Sequence, residues 1–477
     1  MRSAVQGGQA GLDNGTHELH VQDSMATQID AKPESLSHWV WATDGHASHR
    51  APLLDRAAAI LDGRLTASAG QREELAARLE RWRYQHLNER AGQMAPQDWE
   101  LADWLDLAAN ELTRRPARPP RRPRMAIAGQ GETPTAAIDA ALQGLDPNVP
   151  LDELREKARA LTEQHFTRPS REGQPKRRVL LYAPLYLSSY CVNHCTYCGF
   201  RYPHPIQRKH LGPQQALREA DLLFQRGFRH LLLVAGDFPK LLTTDYYVAI
   251  LQALCDRGVK PAIEIAPQST ASYARMIEAG ACGITLYQET YDEGLYRSCH
   301  PRGSKMSYDW RLEGVERAAE VGMRRLGLGI LLGLADPRRD LLALMRHGEY
   351  LRRRFPDRTL AFSLPRIYEA PQGFKPPYQV DDETFVRLYC VLRIAFPQAE
   401  LVLSTREPAA LRNQLAAICI TQMSAGSCTV PGGYGDASPE SRSGQQFPVA
   451  DHRPPAEVAA WLTRAGLQPI WQIDQST

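Results

Sequence analysis

Long apolar runs are missing from this sequence. No stretch of its 477 residues approaches the roughly 18 to 20 needed to cross a bilayer, and the polar first 35 residues lack the apolar core of a secretory signal. The expectation is a cytoplasmic chain with no membrane partner. An excess of one charge sign is missing too. With 57 basic against 54 acidic residues and a formal charge of +3, no global field recruits nucleic acid or an anionic surface. Cysteine is scarce: nine in 477 residues is far below the density of a disulfide scaffold. Yet three of the nine, Cys191, Cys195 and Cys198, fall within eight positions, and that clustering points to metal.

The length exceeds the roughly 250 to 300 residues at which one core stops growing, so a main domain with appended regions is expected. Residues 1–50 carry no periodic apolar pattern and read as a disordered leader. Residues 51–113 read as a small helical region, with three-to-four spacing in Leu53, Leu54, Ala57, Ala58 and Leu61 and again through Leu75, Leu79, Trp82 and Leu87. Residues 114–150 open with a run of prolines and arginines that cannot continue a helix, hence a stiff linker: a solvated tether, or else an arm for an acidic partner. From 151 to 420 a lead-in helix at 151–166 precedes apolar strands at 178–183, 230–235, 261–265, 283–287, 326–332, 360–364 and 401–403. Helices such as 214–226 and 307–321 separate them. Strand-helix repetition of this kind argues for an α/β fold, a parallel (β/α) barrel with chemistry at the C-terminal strand ends. Residues 421–477, with Gly432, Gly433, Gly435 and a helix at 455–465, are expected to pack at the barrel mouth.

The loop Cys191-Val-Asn-His-Cys195-Thr-Tyr-Cys198 follows the first strand and ends in Gly199-Phe200. Thiolates suit an iron-sulfur centre, and three of them leave one iron of a four-iron cluster open to another ligand. A zinc site is the alternative. It needs a fourth ligand, which His194 or His204 could supply, but zinc sites usually pair their cysteines as CxxC units. The remaining cysteines are scattered and read as small buried hydrophobes, with Cys428 beside the Gly-rich loop held open.

The spacing of three then two residues resembles that of the radical S-adenosylmethionine superfamily. The stretch from Leu181 to Phe200 is similar to its aromatic amino acid lyases: the tyrosine lyase of thiamine biosynthesis (2-iminoacetate synthase), the tyrosine lyase that matures the di-iron hydrogenase cofactor, and tryptophan lyase. The likeness continues through Tyr287-Gln-Glu-Thr-Tyr291, His300-Pro-Arg-Gly-Ser-Lys305, Ser363-Leu-Pro-Arg366, Leu403-Ser-Thr-Arg-Glu-Pro408 and Ser424-Ala-Gly-Ser427, over roughly residues 178–470.

The resemblance implies a 4Fe-4S cluster on Cys191, Cys195 and Cys198, with S-adenosyl-L-methionine chelated at the open iron. Tyr197 would lie against the adenine, or be a packed loop aromatic. Gly236-Asp237 stands where the family has Gly-Glu, so Asp237 would accept from the methionine ammonium with one methylene less. Gln288 and Glu289 would stand near the nucleoside, Glu289 alternatively in a structural ion pair. Arg311 would reach the methionine carboxylate rather than Arg317, six residues on, both being otherwise solvated. Arg366 would hold the substrate's carboxylate, and Ser404, Thr405 and Arg406 its ammonium or the pocket wall, Arg406 alternatively pairing near Glu407.

The implied reaction is electron transfer to the sulfonium, hydrogen abstraction from an aromatic amino acid by the 5′-deoxyadenosyl radical, and Cα–Cβ cleavage. For tyrosine the products are 2-iminoacetate and p-cresol. The implied partners are a flavodoxin or ferredoxin as reductant and thiazole synthase as acceptor of the imine. Tryptophan cleavage stays open, since no residue visibly reads phenol against indole. A maturase-like lyase also stays open, without its second cluster, since no cysteine follows Cys428. In another class, a non-catalytic iron-sulfur scaffold or redox sensor would have no need of Glu289, Arg366 and Ser404.

Overall fold

The computed structural model describes residues 50–90, 93–113, 120–130, 136–169, 173–370, 373–435 and 444–473. Eight parallel strands form the barrel: β1 (Lys176–Ser188), β2 (His230–Ala235), β3 (Lys260–Glu264), β4 (Gly283–Thr285), β5 (Arg325–Gly329), β6 (Thr359–Ser363), β7 (Glu400–Leu403) and β8 (Gln422–Ser424). They pair in sequence order, and β8 closes the ring by pairing with β1 through Leu180–Tyr182. Strands buried on both faces are near-continuous apolar runs, as in Leu231-Leu-Leu-Val234. Alternation then sends successive side chains to opposite faces. On β3, Ala262 and Glu264 line the lumen while Ile263 joins the shell packed under the helices.

The eighth strand lies beyond residue 420, where the barrel was expected to end. Its three residues are too few for a periodic signal, and only pairing on both sides defines it. The helix expected over 307–321 is two, Tyr308–Leu312 and Gly314–Glu320. At Gly314 a Cβ would run into the Leu286 side chain and lie 3.3 Å from Pro267, which fixes the close approach at the break.

Among the described residues six α-helices precede the barrel, and the first three are α1 (Arg50–Leu61), α2 (Ala69–Glu89) and α3 (Pro96–Leu112). These three share a core that includes Leu75, Leu79, Leu105 and Leu112. Helix α2 packs on Tyr308–Leu312 through buried polar groups. Arg83 pairs with Glu313 at 2.6 Å, the Tyr84 hydroxyl donates to Glu313 at 2.7 Å, and Arg317 donates to Tyr84 at 2.7 Å. The tether reading fails for the end of the Pro/Arg stretch. Arg121 is 1% exposed, between Asp106 (3.2 Å) and Glu320 (2.8 Å), and Arg124 joins Glu293 and Asp309, each at 2.8 Å. Carboxylates on both sides draw these guanidiniums in. Residues 1–49 of the leader and residues 114–119 and 131–135 of the linker lie outside the described residues. Among the described residues no helix is long and apolar enough to cross a membrane.

Candidate active site

The thiol loop leaves the C-terminal end of β1 and is held chiefly by backbone. Val192 N–H donates to the Asp237 carbonyl at 2.8 Å and Thr196 N–H to the Cys299 carbonyl at 3.0 Å. The Arg208 guanidinium donates to the carbonyls of Ser189, Phe200 and Arg201 at 2.5, 2.6 and 2.7 Å. Gly236 sits so near that a Cβ there would collide with the Tyr190 carbonyl and come within 3.2 Å of the Cys191 side chain. On the other side, Gly199 lies against the backbone of Gln445 and Gln446, and the Gln446 amide reaches Cys198 Sγ at 3.9 Å.

All three cysteines are free thiols. Burial pushes Cys191 up to about 11, with Asp237 and Cys198 adding to it, and burial also raises Cys195, with Cys198 and Cys191 contributing. Three soft donors near enough to influence one another, on a loop fastened at both flanks, fit a four-iron cluster. Among the described residues no three His, Cys, Asp or Glu side chains converge on one point; a cube needs no such convergence, because each thiolate takes a different iron.

A polar ring surrounds the loop. Asn193 donates to Asp237 at 3.1 Å and accepts from Lys305 N–H at 2.9 Å, and the Ser304 hydroxyl also reaches Asp237. Burial pushes Asp237 up to about 6, against the Asn193 bond and the charges of Arg311 and Lys305. Glu289 pairs with Lys305 at 2.5 Å and Arg311 at 3.4 Å. Burial would raise its carboxyl, but these cations hold it below the usual range. Glu289 is the one non-glycine with positive φ, +71°, among the described residues, a strained backbone of the kind found at functional positions. Tyr197 is fixed by a 2.7 Å bond between its hydroxyl and His300 Nε2, with Lys305 Nζ 5.5 Å from its ring centre.

Arg311 joins this ring and also donates to the Tyr287 carbonyl at 2.6 Å. Gln288 does not join it: buried, it donates to the Tyr308 carbonyl at 3.4 Å. Arg317 is tied to the N-terminal helices instead, stacked 3.6 Å from the centre of the Trp310 ring.

Beneath the ring the lumen opens as a cavity lined among others by Tyr186, Glu264, Tyr287, Ser404, Arg406 and Ser424. Arg406 lies over the Phe447 ring, 3.3 Å from its centre, and among the described residues its guanidinium has no hydrogen-bonded acceptor. Arg366 is differently placed from the expectation. Its guanidinium is forked onto Glu407 and also bonded to Asp382 at 2.9 Å, the Tyr368 hydroxyl at 2.5 Å and the Val380 carbonyl at 2.9 Å. A cation so fully engaged is structural here, joining the end of β6 to the next helix and to the loop after β7.

Sequence reasoning missed Lys305 as the partner of Glu289, and Asn193, Gln446 and Glu264. Only Glu264 carried a signal: a lone acid in Pro261-Ala-Ile-Glu-Ile-Ala266, two residues from a lumen-facing alanine.

Two families match the chain: the Radical SAM superfamily over residues 185–347 and the Biotin and Thiamin Synthesis associated domain over residues 363–468. The 2-iminoacetate synthase of Escherichia coli K12 is 34% identical over 375 residues, 78% of this chain and 95% of that protein. The 2-iminoacetate synthase of Salmonella typhimurium is 33% identical over the same shares. The crystal structure of HydG, a maturase of the [FeFe]-hydrogenase, superposes with a TM-score of 0.63 at 31% identity, covering 82% of this chain and 80% of that one. Methylornithine synthase, at a TM-score of 0.54 and 22% identity over 73% of this chain and 97% of that one, shares the fold.

Proposed function

The chain belongs to the radical S-adenosylmethionine enzymes and, within them, to the 2-iminoacetate synthase family, and from that premise we propose that it splits the Cα–Cβ bond of tyrosine into 2-iminoacetate and p-cresol. The observation that carries the reading is 34% identity over 95% of the length of the Escherichia coli enzyme.

Cys191, Cys195 and Cys198 would hold the four-iron cluster. Asp237, fixed by Asn193 and Ser304, would accept from the methionine ammonium. Tyr197, held by His300, would offer its ring to the adenine, and Glu289 would accept from the ribose while Lys305 and Arg311 keep it ionised. When bound and reduced by a flavodoxin- or ferredoxin-type protein, the cluster and S-adenosylmethionine supply a 5′-deoxyadenosyl radical able to take a hydrogen atom from the substrate.

The protein's own contribution is to decide which hydrogen that is. Arg406, without an acceptor of its own, takes the amino acid's carboxylate as a planar fork. Ser404, on the same loop, takes the ammonium. Arg366 positions that loop through Glu407 and does not touch the substrate. The aromatic and aliphatic lumen wall keeps water from the reacting atoms. Delivery of the imine to thiazole synthase belongs to the same proposal.

Protein reconstituted without oxygen and incubated with dithionite, S-adenosylmethionine and each aromatic amino acid should convert tyrosine to p-cresol. Consumption of tryptophan with no p-cresol would overturn the substrate assignment.

A further inference from the structure

Glu264 is unused by the chemistry above, yet it occupies the lumen. It ends β3, in register with Val234 on β2, and strand alternation turns it inward with Ala262. Tyr182, Tyr186, Leu232, Val234 and Tyr287 share the cavity wall with it. Among the described residues no hydrogen bond or ion pair reaches its carboxyl. Two neighbouring lumen groups behave differently. The Tyr186 hydroxyl donates to Gln446 at 2.7 Å, and Ser424 accepts from Thr405 N–H at 3.0 Å. A lumen acid without an internal hydrogen-bond partner is poised for a hydrogen-bonding group that arrives with a ligand. Burial pushes it up to about 7, with Arg406 opposing and Glu289 adding, so near neutrality much of it carries a proton and it can donate as well as accept.

Its depth matters as much as its chemistry. Arg406 lies three positions beyond Leu403, the end of β7, on the mouth side, whereas Glu264 is still within the strand layer. An amino acid whose carboxylate is held at Arg406 and whose reacting centre faces the thiol loop has one direction left for its side chain, down the lumen. The ring would then lie along Val234 and Tyr287, and the para substituent would meet Glu264, which is level with Val234.

We propose that Glu264 is the specificity-determining residue that reads the substrate's para-hydroxyl, its carboxyl hydrogen-bonding the phenol oxygen so that the lumen takes tyrosine over phenylalanine or tryptophan. This rests on the lyase reading and supplies what that reading lacked, a group that distinguishes phenol from indole. Sites built to bond a substrate hydroxyl reject analogues lacking it, because the site's own polar group is left unpaired.

Binding of tyrosine, phenylalanine and tryptophan is measured by calorimetry on the cluster-loaded, unreduced protein with S-adenosylmethionine present, so that nothing turns over. Wild-type protein should bind tyrosine at least about tenfold more tightly than phenylalanine. Glu264→Leu should lose that factor for tyrosine while phenylalanine stays within about twofold, and Glu264→Gln, which keeps a bonding amide, should retain part of the preference. Glu264→Ala gives the same comparison if leucine overfills the lumen and the variant does not fold. Equal weakening of tyrosine and phenylalanine would mean that Glu264 serves the amino acid end or Arg406 alone, and would overturn the assignment, as would an unchanged preference. Wild-type protein that binds no tyrosine, or prefers tryptophan, would sink the lyase reading itself and the role of Glu264 with it.

Discussion

The flank of the barrel and its lumen both bury charge, but they treat it in opposite ways. Where the N-terminal helices meet the barrel, three guanidiniums go inside and find carboxylates: Arg83 on Glu313, Arg121 between Asp106 and Glu320, Arg124 between Glu293 and Asp309. In the lumen, Arg406 and Glu264 line one cavity and neither is hydrogen-bonded to a counter-charge among the described residues. Both arrangements pay desolvation, and only the first recovers it within the chain. Burial alone therefore does not mark function; the absence of an internal partner does.

The comparison is tested most severely at the flank. Arg83→Ala leaves Glu313 and the Tyr84 hydroxyl buried beside a vacant space, and should lower unfolding stability by about 3–5 kcal/mol in urea titrations followed by circular dichroism. A loss under about 1 kcal/mol would mean that the flank pairs are no better satisfied than the lumen charges.

The two arginines at the mouth sharpen it further. Arg406→Ala should reduce kcat/KM for tyrosine by roughly 30- to 1000-fold, about 2–4 kcal/mol, with stability held within about 0.5 kcal/mol. Arg366→Ala should do the reverse, losing stability because Glu407 is left unpaired, while KM for tyrosine in the folded protein changes by no more than a few-fold. An exchange of these two outcomes would return the carboxylate to Arg366.

The smallest effect is a pH dependence. The Glu264 carboxyl is held near 7 in the fold against an ordinary value of 4.5, so the folded protein prefers its neutral form. That contribution is fully present below about 4.5 and is lost as pH rises through about 7. Melting temperatures of the ligand-free protein should lose this increment across that window, and Glu264→Gln should flatten the decline. A Gln variant with the wild-type slope would show that the charge in the lumen is already compensated.

The barrel was legible because its strands are fully buried apolar runs. The strand expected at 230–235 is β2 to the residue, and the others are offset by a few positions at their ends. β8 was invisible because its three residues have no periodicity and depend on partners over 200 positions away in β1. The thiol loop was legible for the opposite reason, that ligand spacing is a local property of the chain. Arg366 misled because its strand-end position suggests an exposed cation, while its neutralising partner, Glu407, lies 41 residues on. Gln446 is 248 residues from Cys198, and no local pattern joins them.

Gly236 touches the thiol loop, Gly199 at the loop's own end touches the backbone of Gln445 and Gln446, and at each a single methyl would strike main-chain atoms. A substitution scan across this mouth would therefore record two hydrogens as being as irreplaceable as the sulfurs. At such a place intolerance to change is a record of clearance as well as of reactivity, and the two are separated by asking whether the damaged protein loses its iron or its shape.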